Sequence, residues 1–362
     1  MSLWSNLLKT YDGIESSTGI VPFDEEGNPQ VKKALLPLFH MTFPTKLQIS
    51  LDAAGNCIGV TRDAQDVTII APCTESSMGR AGKDPAPHPL CDQLQYIDST
   101  FDKKKFSQYM GQLGDWKGGN VKLNAIFAYL SQHSLISDAC DHGIYERNED
   151  GSVALPKGEE KAGVRFSVRD LDSSESNVWE DKTLWQRWIA YETGDKPAKG
   201  RDSLGGIFRS QAANYPKNIV GTAGNAKLVS ANDNSNFTFR GRFSSQAEAS
   251  RIDSITSQKA HAALKWLVNN NGTITDKQAI VIWAVGQRRR IPLPFGNSYV
   301  VEQATEAYLT DTEILSRAKS NTDTDYARKF GALVRGFGSA EQVKNIQELS
   351  SCPYSIRPLR AG

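Results

Sequence analysis

The chain has 362 residues, a formal net charge of +1, 39% apolar and 23% charged residues, the composition of an ordinary soluble protein with one large irregular domain or two. No apolar run is long enough to span a membrane, and the start, Met1-Ser-Leu-Trp-Ser-Asn-Leu-Leu-Lys9, has no basic region ahead of an apolar core, so it is not a secretory signal. Five scattered cysteines (Cys57, Cys73, Cys91, Cys140, Cys352) form no C-x-x-C pair, which predicts reduced thiols and a cytoplasmic protein.

Residues 1–12 predict an amphipathic helix, with Leu3, Trp4, Leu7, Leu8 and Tyr11 on one face. Residues 46–51 alternate, Asp52-Ala-Ala-Gly55-Asn56 supplies turn residues, and Ile58 and Val60 resume the alternation, which predicts a β-hairpin. Val67–Ala71 reads as a third strand. Residues 72–91 break the pattern: Pro85, Pro87, Pro89, Gly79 and Gly82 argue for a long loop without helix or central strand. Phe101–Leu113 and Leu123–Leu130 read as helices, Val164, Phe166 and Val168 as the apolar side of a strand, and Trp179–Ile189 as a helix. Residues 144–162 are charged and turn-rich and mark a boundary. Ile255–Val268 is a helix ended by Asn269–Gly272, and Gln278–Val285 a buried strand. Residues 301–349 read as helix-rich. The expected fold is α+β: a mixed, mostly antiparallel sheet with packed helices. The expected regions are 1–145, with its loop 72–91; a basic central region, 160–295; and 296–362.

Charge is distributed unevenly. Residues 1–200 hold 21 Lys+Arg against 28 Asp+Glu, residues 201–300 hold 13 against 5, and residues 301–362 hold 8 of each. The middle block therefore carries +8, the footprint of a polyanion-binding surface or a chance cluster on a solvated face. Within it, Gly221-Thr-Ala-Gly224-Asn225 has the G-x-x-G spacing of loops that clamp a sugar–phosphate backbone, or of a plain tight turn. No lysine follows the second glycine in Walker fashion, which argues against an ATP site. Ser230, Asn232, Asn234 and Asn236 form an amide-rich turn able to meet base edges, although Asn is also a common turn residue. In Phe237-Thr-Phe-Arg240-Gly-Arg242-Phe243, period two separates the phenylalanines, core residues or stacking platforms, from Arg240 and Arg242. Those two arginines and Lys227 suit phosphate, as do Arg288, Arg289 and Arg290. Ser76, Ser77, Arg80 and Lys83 give the 72–91 loop polar and basic tips.

Catalytic patterns are missing. Cys140-Asp-His142 places adjacent residues that do not face one another, the histidines lack metal-ligand spacing, and there is no H-E-x-x-H, G-x-S-x-G or compact carboxylate set. No cofactor is expected.

Lys227-Leu-Val-Ser230-Ala-Asn232-Asp, Asn236-Phe-Thr-Phe-Arg240-Gly-Arg242-Phe243 and Thr256-Ser-Gln258-Lys-Ala-His261-Ala-Ala-Leu264-Lys-Trp266-Leu267 resemble the central signature of the large subunit of the type I-C CRISPR surveillance complex (Cascade). Leu7-Leu8-Lys-Thr-Tyr11-Asp, Val164-Arg165-Phe166-Ser-Val168 and Ile280-Val-Ile-Trp283-Ala284-Val285 follow the same order of elements. The resemblance spans roughly residues 1–290 and fades past 300; family members continue into a helical region similar to the small subunit, which this chain is expected to lack. It implies an irregular, non-catalytic subunit that inspects duplex DNA for the protospacer-adjacent motif (PAM), aids strand separation and helps recruit the helicase–nuclease. The implied partners are CRISPR RNA, double-stranded target DNA, the backbone subunits and the small subunit. Lys227, Arg240, Arg242 and Arg288–Arg290 are expected on the nucleic-acid backbone. Asn225, Ser230, Asn232, Asn234 and Asn236 are expected at the PAM, with Ser76, Ser77, Arg80 and Lys83 as a second arm. Two alternatives remain: a structural subunit that meets RNA or protein without reading DNA, and a nucleic-acid-processing enzyme.

Overall fold

The computed structural model describes residues 2–80, 84–170, 173–194, 196–212, 214–222, 224, 227–229, 241–275, 278–281, 283 and 354–356. In chain order the elements are α1 (Leu3–Ile14), β1 (His40–Asp52), β2 (Cys57–Pro72), α2 (Glu75–Met78), β3 (Asp92–Gln93), α3 (Leu94–Ile97), α4 (Lys103–Lys117), α5 (Val121–Gln132) and α6 (Leu135–Asp141). There follow β4 (Glu146–Arg147), β5 (Val153–Ala154), β6 (Gly163–Arg169), α7 (Lys182–Thr193), α8 (Gln246–Ala249), α9 (Ser254–Asn271), β7 (Gly272–Thr275), β8 (Gln278–Val281) and β9 (Tyr354–Ile356). The fold is α+β. Its residues form two compact units. One comprises Met1–Ile20, Gly200–Gln211 and Tyr215–Gly362; the other comprises Val21–Lys199 with Ala212–Asn214. The units interleave along the chain.

The inserted unit is built on a four-stranded sheet ordered β2-β1-β6-β3. β1 pairs antiparallel with β2 and parallel with β6, and β3 closes the far edge antiparallel to β6. Alternation places Leu47, Ile49 and Leu51 of β1 beside Val164, Phe166 and Val168 of β6, all fully buried. Helices α4 and α5 cover this layer with Tyr109, Leu113 and Trp116, and Leu123, Ile126 and Tyr129. Burying each such side chain contributes on the order of 2 kcal/mol. The expected third strand at Val67–Ala71 is instead the second half of β2. Between the pairs Thr45↔Val67 and Leu47↔Arg62, Asp63-Ala-Gln-Asp66 stand opposite Lys46 alone. This polar bulge interrupts the alternation and makes one strand read as two. Arg165, on the polar side of β6, is buried too: Nη1 donates to Thr45 Oγ1 at 2.8 Å and meets Asp63 Oδ2 at 2.8 Å, and Nε donates to Gln48 Oε1 at 2.9 Å.

Among the described residues, four turns share one five-residue form: Asp24–Asn28, Asp52–Asn56, Asn148–Ser152 and Asp202–Gly206. In each, the first residue's N–H donates to the fifth carbonyl, and the fourth residue's N–H donates to the first carbonyl. The fourth residue is always glycine with φ between +81° and +91° (Gly27, Gly55, Gly151, Gly205), a conformation open to glycine at little cost. In the three aspartate turns the carboxylate also accepts the N–H groups of the third and fifth residues.

In the other unit α1 lies against α9. Ser2 caps α1, accepting Ser5 N–H at 3.2 Å, and Leu7 and Tyr11 are buried. Lys259 of α9 pairs with Asp12 at 2.7 Å, Trp4 meets the His261 ring edge-on at 5.5 Å, and Trp283 Nε1 donates to Thr10 Oγ1 at 3.0 Å. Asp253 caps α9 through Ile255 N–H, while its other oxygen accepts the N–H groups of Arg209 and Ser210. β7 and β8 form a hairpin after α9, with β9 at the other side of β8.

Candidate nucleic-acid interface

The basic block belongs to the unit that contains α1 and α9. Its loop after Gln211 is anchored by apolar side chains and presents polar ones. Tyr215, Ile219 and Val220 are buried. The Tyr215 hydroxyl meets Ser250 Oγ at 3.0 Å, and Lys217 and Asn218 emerge between these anchors. Asn218 takes the left-handed conformation (φ 58°), which Asn tolerates better than most residues. The turn then folds back: a methyl group on Gly224 would stand 3.4 Å from Asn218 Oδ1. Gly221 and Gly224 are exposed and Lys227 is half-buried. Burial pushes the Lys227 ammonium below its ordinary pKa, and the like charge of Lys217 pushes the same way. Two cations are therefore held where each opposes the other, an arrangement that an anion relieves. Arg242 is exposed, its guanidinium 5.5 Å from the Phe243 ring centroid. Among the described residues, Lys217, Lys227 and Arg242 make no ion pair with a carboxylate. Lys217 and Asn218 were not singled out in the sequence; the signal was the pair of apolar anchors that follows them.

Residues 23–355 match the family model described as CRISPR-associated protein Csd1. The chain belongs to the Csd1 family of CRISPR-associated proteins. No curated protein matches it.

Of the other residues expected to contact nucleic acid in this Csd1-family chain, Asn225, Ser230, Asn232, Asn234, Asn236, Arg240, Arg288, Arg289, Arg290 and Lys83 lie outside the described residues. The described part of the 72–91 arm is pinned to its own unit. Contrary to the expectation of a loop without helix, residues 75–78 form a helical turn, because none of the prolines falls inside it. Thr74 and Ser77 cap it reciprocally, each backbone N–H donating to the other's hydroxyl at 2.9 Å. Ser77 is buried and its hydroxyl also meets His88 Nδ1 at 2.9 Å, so it is not a tip; Ser76 is exposed. Arg80 pairs with the buried carboxylate of Asp92, donates to Ala86 O at 2.9 Å and lies 4.3 Å over the Tyr96 ring. A proline-rich stretch has few N–H groups to pair its carbonyls, and side chains take over. Tyr96 bonds Pro85 O at 2.8 Å, Trp116 bonds Pro89 O at 3.2 Å, and Tyr109 bonds Leu90 O at 2.6 Å.

His142 closes α6 with Nδ1 2.8 Å from Asp138 O. Burial holds His40 and His261 down to about pKa 4, and burial with the Arg80 charge holds His88 well below the usual imidazole range. Among the described residues no three His, Cys, Asp or Glu side chains are placed to share a metal ion, and no helix is long and apolar enough to cross a membrane.

Proposed function

We propose that this Csd1-family protein is the non-catalytic large subunit of a type I-C surveillance complex. In this reading it binds the PAM duplex, aids strand separation and helps recruit the helicase–nuclease, alongside CRISPR RNA, the backbone subunits and the small subunit. The observation that carries the reading is the anchored basic loop, where Lys217 and Lys227 oppose one another and carboxylate partners are absent among the described residues. In such a division of labour, guide pairing reads sequence while protein groups read the PAM and the backbone. Lys217, Lys227, Arg240 and Arg242 are assigned to phosphates, and Asn232, Asn234 and Asn236 to base edges.

The test is duplex binding by the purified chain between 50 and 200 mM salt. Each phosphate contact contributes about 0.9 to the slope of log affinity against log salt. Lys227→Ala with Arg242→Ala should therefore flatten the slope by about 1.8 and weaken every duplex alike. The asparagine variants should instead reduce PAM discrimination, by about 1–3 kcal/mol per base lost. Wild-type affinity and slope in both sets would refute the DNA assignment. Retained binding to the backbone subunits would then favour a structural subunit. Product formed from DNA or RNA with Mg²⁺, and abolished by a point substitution, would overturn the non-catalytic assignment.

A further inference from the structure

The residues flanking the Asp202 turn form a second feature of the same unit. Arg201 and Ile207 bridge across the turn, and Phe208 N–H donates to Gly200 O at 3.0 Å. Over Phe208 lies Arg251, its guanidinium carbon 4.3 Å from the ring centroid. Arg251 is exposed and Phe208 half-buried. The backbone beneath this stack is pinned on both sides. Arg251 O accepts Ser203 N–H at 2.7 Å, Ser250 O accepts Gln211 Nε2 at 2.8 Å, Ile252 is buried, and the Asp253 carboxylate holds Arg209 and Ser210. Gly200 lies beside the guanidinium. It has φ +117°, and a methyl group there would stand 3.6 Å from Arg251 Nη2. The result is a flat, charged group on a rigid base, with an aromatic ring under one face.

We propose that Arg251, over the Phe208 ring, is a stacking platform for an unpaired nucleobase. A guanidinium is planar and weakly hydrated, so it stacks on π-faces as an ammonium does not. Stripped of its pairing partner, a base offers such a face whatever its identity. The pinned backbone lowers the ordering cost of capture. This inference rests on the nucleic-acid reading above but uses none of its residues, and it concerns single strands rather than duplex.

The experiment uses the full chain with single-stranded DNA and RNA oligonucleotides carrying 2-aminopurine, matched abasic oligonucleotides, and a duplex. The platform predicts quenching of 2-aminopurine on binding and weaker binding of the abasic strands. Arg251→Ala should lose about tenfold in single-strand affinity and the quenching, with duplex affinity little changed. Arg251→Lys keeps the charge but not the plane and should behave like Arg251→Ala; Phe208→Leu should lose part of the quenching. Comparison of the DNA and RNA arms identifies the strand that supplies the base. An Arg251→Lys protein that matches wild type makes Arg251 a point charge and overturns the proposal. So does an Arg251→Ala protein that binds and quenches normally, or one whose only change is a lower melting temperature. Duplex binding by wild type without single-strand quenching sinks the platform and leaves the parent reading intact. Absence of any nucleic-acid binding sinks both.

Discussion

His261 makes the stability of its unit sensitive to mild acid. The ring is buried between Trp4 and Tyr215, Nδ1 lies 2.7 Å from Ser257 O, and Nε2 has no hydrogen-bond partner among the described residues. Burial pushes its pKa down to about 4, against the opposing pull of the Ser257 carbonyl, while the unfolded chain titrates near 6.5. Between these values the unfolded state binds the proton and the folded state does not. Stability is therefore intact above about pH 6.5, falls as pH drops toward 4, and is flat below that. From pH 7 to pH 5 the loss is about 2 kcal/mol, since 1.5 pK units at 1.36 kcal/mol each separate pH 5 from the unfolded value. Urea unfolding followed by tryptophan fluorescence at both pH values, in wild type and in His261→Gln, isolates this contribution because the other titrating groups cancel in the difference. The variant should be less stable than wild type at pH 7 and should recover about 2 kcal/mol relative to it at pH 5. Parallel pH profiles for the two proteins would show that the buried imidazole is not what the folded state keeps unprotonated.

Lys122 is buried and donates to Asp181, to Ser173 Oγ at 2.9 Å and to Glu175 O. Lys122→Met should cost about 3–5 kcal/mol by stranding the carboxylate, and adding Asp181→Asn should restore part of it; simple additivity in denaturant titrations would argue against the pair. The repeated turn gives an internal control. Gly27→Ala meets nothing within 4 Å and bears only the cost of positive φ, about 1 kcal/mol. Gly55→Ala also brings its methyl group 2.7 Å from Ala125 O, so its melting temperature should fall further. Equal losses would mean that the α5 backbone yields freely. Gly163→Ala drives a methyl group to 2.1 Å from Pro44 O and should cost at least about 3 kcal/mol, read from the denaturation midpoint.

Local signals were legible where one segment specifies one element. The Asp52–Asn56 turn, the alternation of β6 and the stripe of α9 all stand where their residues imply. What could not be read depends on partners far along the chain. Nothing in Leu47–Leu51 states that Val164–Val168 will lie parallel to it, or that α1 will rest on a helix beginning at Ser254. Two residues of β3 are too short to carry a period. Ser77 and Arg80 look like solvent-facing groups because their partners, His88, Asp92 and a carbonyl in a run of prolines, are recognisable only after the loop has closed. Lys217 escaped notice for the opposite reason. A single lysine says nothing until Tyr215 and Ile219 are seen to hold it out beside a second cation.

The marriage of α1 to α9 sets an order of events during synthesis. Helix α1 leaves the ribosome well before α9, and its buried face has no companion until about 240 more residues have been made, a wait on the order of tens of seconds at typical elongation rates. Val21–Lys199 can consolidate during that interval with all of its sheet already in hand. A nascent chain halted near residue 200 would thus carry a finished insert behind a bare amphipathic helix, a natural ligand for chaperones that bind short apolar stretches.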